Sequence, residues 1–239
     1  MTKLVFLHGF LGHPQEFEFL KSLEKNFDCV SLDLNQGSSF SLKAQAEYVK
    51  NKLDQLGIHK AHFWGYSMGG RVCLELYKKF PEICLSLTLE SVSLGLVDKN
   101  ERNERVKKDS EWAELTTKNP KLFLEKWYDQ DIFASFKKQK NFPIYISLRK
   151  KTLSSLHAQM IVEASPGANA DHFDLINNIK VPVLALVGQF DDKYLQIWGK
   201  LIDKYPQIAI EIIKNSGHVI HIENPTGAVN AFKKMMMEK

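Results

Sequence analysis

The first residues with evident chemistry are Gly65-Tyr66-Ser67-Met68-Gly69, a serine framed by glycines as G-x-S-x-G. The run follows the apolar stretch His62–Trp64 and precedes a helical pattern over 68–80, which Pro81 closes. In that context the serine sits on a sharp strand-to-helix turn, its hydroxyl raised at a helix N-terminus where negative charge is favoured. The glycines leave room for the turn, and Gly70 lets helix and strand approach. A serine hydroxyl needs a base, and the base needs an acid to orient it. On this type of turn they follow in the order serine, acid, histidine, each after a later strand. Val183–Val187 is followed by Gly188-Gln189-Phe190-Asp191-Asp192, and Ile208–Ile213 by Lys214-Asn215-Ser216-Gly217-His218. His218 is the expected base. His8 ends an earlier strand and precedes the serine, and His221 reads as structural. Asp191 is the nearer acid to its strand end, with Asp192 the alternative. The backbone N–H groups of Met68 and Phe10 are the candidate donors to an oxyanion.

Positioning these residues requires a particular scaffold. Short apolar runs recur at Leu4–Leu7, Cys29–Leu32, His62–Trp64, Leu85–Leu89, Val183–Val187 and Ile208–Ile213. Between several of them lie helical patterns, such as Leu42, Ala46, Val49, Leu53 and Leu56, and a stretch around 194–204. Apolar strands alternating with helices predict an α/β architecture, a mostly parallel sheet covered on both faces. Such sheets bind ligands beyond the carboxyl ends of their strands. The alternation stops between 93 and 178, where charged and aromatic helical patterns predominate. We expect residues 1–92 and 179–239 to form the core and 93–178 a helical cap, with one further strand conceivable at Ile144–Leu148.

Composition sets outer bounds. The chain has 239 residues, 44% hydrophobic and 25% charged, with 32 basic against 28 acidic side chains and a net charge of +4. Those are globular proportions, unlike a disordered or collagen-like chain. Basic and acidic residues are mixed, with no basic stripe interleaved with stacking aromatics, so nucleic acid is not an expected partner. Cys29, Cys73 and Cys84 lie in apolar stretches at spacings that fit no metal site, so buried free thiols are expected. No apolar run reaches the length of a membrane span or of a signal-peptide core. The expectation is a cytoplasmic, soluble monomer with no metal and no cofactor.

The chain resembles an α/β-hydrolase-fold protein over its whole length. LHGFLG (7–12), GYSMGGR (65–71), ERVKKDSEW (104–112), WYDQDIFAS (127–135), SLR (147–149), GQFDDKY (188–194) and GHVIHIENP (217–225) together resemble the 2-succinyl-6-hydroxy-2,4-cyclohexadiene-1-carboxylate synthases of menaquinone biosynthesis. The resemblance implies a lyase that removes a ring proton from 2-succinyl-5-enolpyruvyl-6-hydroxy-3-cyclohexene-1-carboxylate and expels pyruvate. It implies Ser67 as the proton-abstracting base, His218 as its activator and Asp191, rather than Asp192, as the orienting acid. It also places anion-binding roles on Arg71, Arg105 and Arg149, and active-site roles on Tyr66 and Trp127. Arginine suits a small tricarboxylate partner because its planar fork pairs with carboxylates bidentately. One departure stands out: the family's Asp-x-Pro-Gly-His-Gly-like loop is here Asp33-Leu34-Asn35-Gln36-Gly37-Ser38-Ser39. A carboxylesterase using the same triad is the first rival, and a non-catalytic binding protein the second.

Overall fold

A computed structural model describes residues 1–201, 204, 205 and 208–237, leaving the side chains of 18–20 aside. Among the described residues, six strands form one sheet: β1 (Thr2–Leu7), β2 (Phe27–Leu32), β3 (Ala61–Tyr66), β4 (Cys84–Glu90), β5 (Val183–Gly188) and β6 (Ile208–Ile213). Their order is β2-β1-β3-β4-β5-β6, and every neighbouring pair is parallel. The carboxyl ends therefore share one rim.

Each apolar run of the sequence lies in one strand, and the pleat divides it between two cores. Val5 and Leu7 pack on one face with Leu42, Ala46, Val49 and Leu53 of α1 (Leu42–Gln55) and much of α2 (Met68–Lys79). Leu4 and Phe6 point to the other face, toward Phe17 of the short 3-10 segment Pro14–Leu23. Ser41 starts α1 by accepting a hydrogen bond from the Ala44 N–H, and Gly57, at φ 67°, follows its end.

Between β4 and β5 the chain forms α3 (Lys99–Lys118), α4 (Pro120–Tyr128), α5 (Phe142–Thr152), α6 (Ser155–Glu163) and α7 (Phe173–Asn178). Ile144–Leu148, conceivable as a strand, is instead the middle of α5. Pro143 occupies its first turn, where proline's fixed φ fits and its missing N–H is not needed. Beyond β5 come α8 (Asp192–Gly199), α9 (Ile220–Glu223) and α10 (Pro225–Met237). Helix α8 overlaps the first half of the stretch expected around 194–204 and starts two residues before it; 202 and 203 lie outside the described residues. Ala228, Val229 and Phe232 of α10 complete the second core.

The three cysteines are free thiols. Cys73 and Cys84 are buried and Cys29 half-buried. Burial pushes all three upward, Cys29 to about 11 and Cys84 to about 12.

Candidate active site

Ser67 stands between β3 and α2 with φ 49° and ψ −107°, a conformation that costs a non-glycine residue about 1–3 kcal/mol. Its surroundings hold it there. The Ser67 N–H donates to the Glu90 carbonyl at 2.8 Å, and the Ser67 carbonyl accepts from the Arg71 N–H at 3.3 Å. A Cβ on Gly65 would lie 2.5 Å from the backbone of Gly69 and Gly70, and one on Gly69 would strike the carbonyls of Leu7 and His8. The turn therefore admits only glycine at those two places.

His218 lies in the loop after β6. Its Nε2 is 3.4 Å from Ser67 Oγ, and its Nδ1 is 2.7 Å from Asp191 Oδ2. Asp191 immediately precedes α8 and is buried, whereas Asp192 is exposed in the first turn of that helix. The structure thus brings Ser67, His218 and Asp191 together and leaves Asp192 outside. The Ser–His contact is looser than a tight hydrogen bond, as is common before a substrate compresses such a site. His8 is elsewhere and fully buried. Its Nε2 accepts from the Leu34 N–H at 2.9 Å and its Nδ1 donates to the Gly9 carbonyl at 2.8 Å. That histidine ties the β1 turn to the altered loop, where Asp33 Oδ1 accepts from Asn35 N at 3.0 Å and from Asn35 Nδ2 at 2.8 Å. The loop closes through this asparagine without proline or histidine.

Above Ser67 lies a cavity of about 310 Å³, lined in part by Phe10, Tyr66, Met68 and His218. Arg71, Arg105 and Arg149 reach it from α2, α3 and α5. Their circumstances differ. Arg71 donates through Nη1 to the Ala164 carbonyl at 2.6 Å, and burial, reinforced by Arg105, lowers it to about 10. Arg105 donates through Nε to buried Asp109 at 2.7 Å, one helical turn along α3. Arg149 is buried, ion-paired with Glu16, and its Nε donates to Tyr128 Oη at 3.2 Å. Trp127 lines the same space with its ring edge-on to Phe10, centroids 5.0 Å apart. The Tyr66 ring leans on His218 at 5.6 Å and on His221 at 4.7 Å.

Sequence reading missed several lining residues. Lys193 and Tyr194 lie two and three residues beyond Asp191, and the Tyr194 ring centroid lies 4.8 Å from that of His218. Their position beside the acid was the available signal. Lys108 and Trp112 follow Arg105 along α3 at helical spacing. Nothing in the sequence pointed to Glu16. Among the described residues, no cluster of His, Cys, Asp and Glu could hold a metal ion, and no helix is long and apolar enough to cross a membrane.

Comparison with known proteins adds to this geometry. The model of a family described as alpha/beta hydrolase fold matches residues 3–225. A putative 2-succinyl-6-hydroxy-2,4-cyclohexadiene-1-carboxylate synthase of Bacillus subtilis (strain 168) is 29% identical, the match covering 93% of this chain and 85% of that protein. The synthase of the same name from Citrobacter koseri is 28% identical, over 98% of this chain and 93% of its own. The solved structure of MenH from S. aureus superposes with a TM-score of 0.86 at 26% identity, covering 99% of this chain and 94% of the other. A thermophilic esterase from Thermogutta terrifontis shares the fold at 19% identity, with a TM-score of 0.81 and coverage of 100% and 90%.

Proposed function

Because the chain belongs to the alpha/beta hydrolase fold family, we propose that its serine site performs the lyase reaction of 2-succinyl-6-hydroxy-2,4-cyclohexadiene-1-carboxylate synthase in menaquinone biosynthesis. The substrate is 2-succinyl-5-enolpyruvyl-6-hydroxy-3-cyclohexene-1-carboxylate, and the products are the cyclohexadiene acid and pyruvate. The observation that carries the reading is one cavity lined by Ser67, by His218 with Asp191 bonded behind it, and by three arginines.

In this mechanism Asp191 holds the His218 imidazole so that Nε2 faces Ser67, and His218 draws the proton from Oγ. Ser67 then abstracts the ring proton beside the succinyl carbonyl. The electron pair left behind moves onto the carbonyl oxygen, where the N–H groups of Phe10 and Met68 stabilise it. Return of that pair into the ring breaks the carbon–oxygen bond to the enolpyruvyl group, which leaves as the enolate of pyruvate and takes up a proton. No acyl-enzyme forms. Arg71, Arg105 and Arg149 bind the three carboxylates, Tyr66 and Trp127 enclose the ring, and the helices of 93–178 act as the cap.

An esterase pocket has no use for three convergent cations, because neutral acyl esters call for mostly apolar walls. Supplying the enolpyruvyl substrate and following pyruvate by a coupled dehydrogenase assay tests the reading. Pyruvate release with negligible hydrolysis of short p-nitrophenyl esters supports it. Ester turnover without pyruvate release overturns it in favour of the esterase.

A further inference from the structure

A second group of charges lies behind the triad, and neither the relay nor the oxyanion donors use it. Glu16, Glu90, Arg149 and His221 are each 5% exposed or less. They come from the 3-10 segment Pro14–Leu23, the end of β4, helix α5 and helix α9. Glu16 pairs with Arg149, and its other oxygen lies 3.9 Å from His221 Nε2. His221 Nδ1 is 2.6 Å from Glu90 Oε1, and Glu90 Oε2 accepts from Trp64 Nε1 at 2.9 Å. Burial opposes protonation of His221, yet Glu90 and Glu16 outweigh it and push it up to about 9. Two carboxylates then face two cations. Buried charges of this kind rarely add stability over apolar packing, so a role in specifying geometry is the better account of them.

The arrangement bears on the cavity through Arg149. Glu16 engages Nη2 and Tyr128 engages Nε. Nη1 is buried without a hydrogen-bond partner among the described residues, while Arg149 and Glu16 both line the cavity. The guanidinium is therefore held on two sides, and its third edge is closed to solvent yet unpaired.

We propose that Glu16 is a positioning residue for ligand binding: it clamps Arg149 from the core side, holds its guanidinium at the cavity wall for a substrate carboxylate, and is itself braced by His221 and Glu90. The clamp links cap to core through an ion pair. It also sets a clear alternative. Were Arg149 a freely acting cation, Glu16 would simply repel the substrate, and neutralising it would tighten binding.

This inference rests on the anion-binding reading of the cavity, and the experiment separates the two. The full-length chain is compared as wild type, Glu16→Gln, Glu16→Asp, Arg149→Met and the Glu16→Gln/Arg149→Met double variant, by steady-state pyruvate release. Glu16→Gln and Arg149→Met are each expected to raise KM about tenfold with kcat little changed, as loss of one charge-assisted contact would. The double variant is expected to match Arg149→Met alone, and Glu16→Asp to recover part of the loss. An unchanged or lower KM in Glu16→Gln, or multiplying losses in the double variant, overturns the clamp. The double variant leaves no unpaired buried charge, so it serves if Glu16→Gln fails to fold; wild-type KM in it also overturns the clamp. If the wild type releases no pyruvate, the lyase reading fails. The same variants are then titrated with tricarballylate, read by the change in tryptophan fluorescence, to which the cavity residues Trp112 and Trp127 contribute. Weaker binding in Glu16→Gln still supports the clamp, and equal or tighter binding overturns it.

Discussion

On the proposed mechanism, Ser67 Oγ is the one atom that takes the substrate's proton, and a strained backbone holds it in place. Ser67→Ala is expected to lower pyruvate release by about 10³-fold or more while KM changes little, because a proton-abstracting group acts only in the transition state. Full-progress pyruvate assays at saturating substrate check this, and near-normal turnover would remove Ser67 from the mechanism. His157 carries a prediction of a different kind. It is buried, its ring lies edge-on to Phe10, and desolvation lowers it to about 4. Below pH about 6.5 the unfolded chain takes up a proton there that the folded chain refuses, so stability falls as pH drops from about 6.5 to 4, by up to about 3 kcal/mol. Ser154 and His157 form a capping box at the start of α6, a place where glutamine serves equally. His157→Gln should therefore flatten that acid limb in urea unfolding curves taken across the range. An unchanged limb would show that other groups control it.

At the scale of elements, the contact of α2 with the β1 turn is the tightest constraint on the site. A Cβ at Gly69 meets two backbone carbonyls, neither able to step aside. Gly69→Ala is expected to destabilise the fold by about 1–3 kcal/mol in chemical denaturation and to lower kcat by moving Ser67. A variant of normal stability and rate would mean that α2 slides freely. The elements were largely legible beforehand. Six apolar runs announced six strands: inner strands such as β3, β4 and β5 are buried nearly throughout, and the edge strands β2 and β6, though only partly buried, keep apolar side chains toward the core. Helix α5 was harder, since Ile144-Tyr145-Ile146 suits either period and only Pro143 argued for a helix start. The relay was legible because its chemistry fixes residue type, chain order and place at strand ends. Glu16 was not. An acid in a short 3-10 segment carries no local mark of a partner 133 positions later, as Arg149 is.

At the scale of the whole molecule, the small positive excess of the chain is matched by a cationic cavity. Arg71, Arg105, Lys108, Arg149 and Lys193 line it, against Glu16 and Asp109. Raising ionic strength should increase KM for the tricarboxylate while sparing kcat, since salt screens attraction at a partly open mouth more than contacts inside. Arg71→Ala and Arg105→Ala should each weaken binding by about 2–4 kcal/mol and blunt that salt response. Kinetics across a chloride series check both, and a flat KM would argue against an electrostatic cavity. The inward-facing sulfurs have a practical corollary. With the native thiols pushed toward their protonated form, maleimides and iodoacetamide should modify the native protein far more slowly than an exposed thiol. A single cysteine engineered onto the outer side of α5 would then be the lone fast-reacting handle, ready for a fluorophore without first stripping the background.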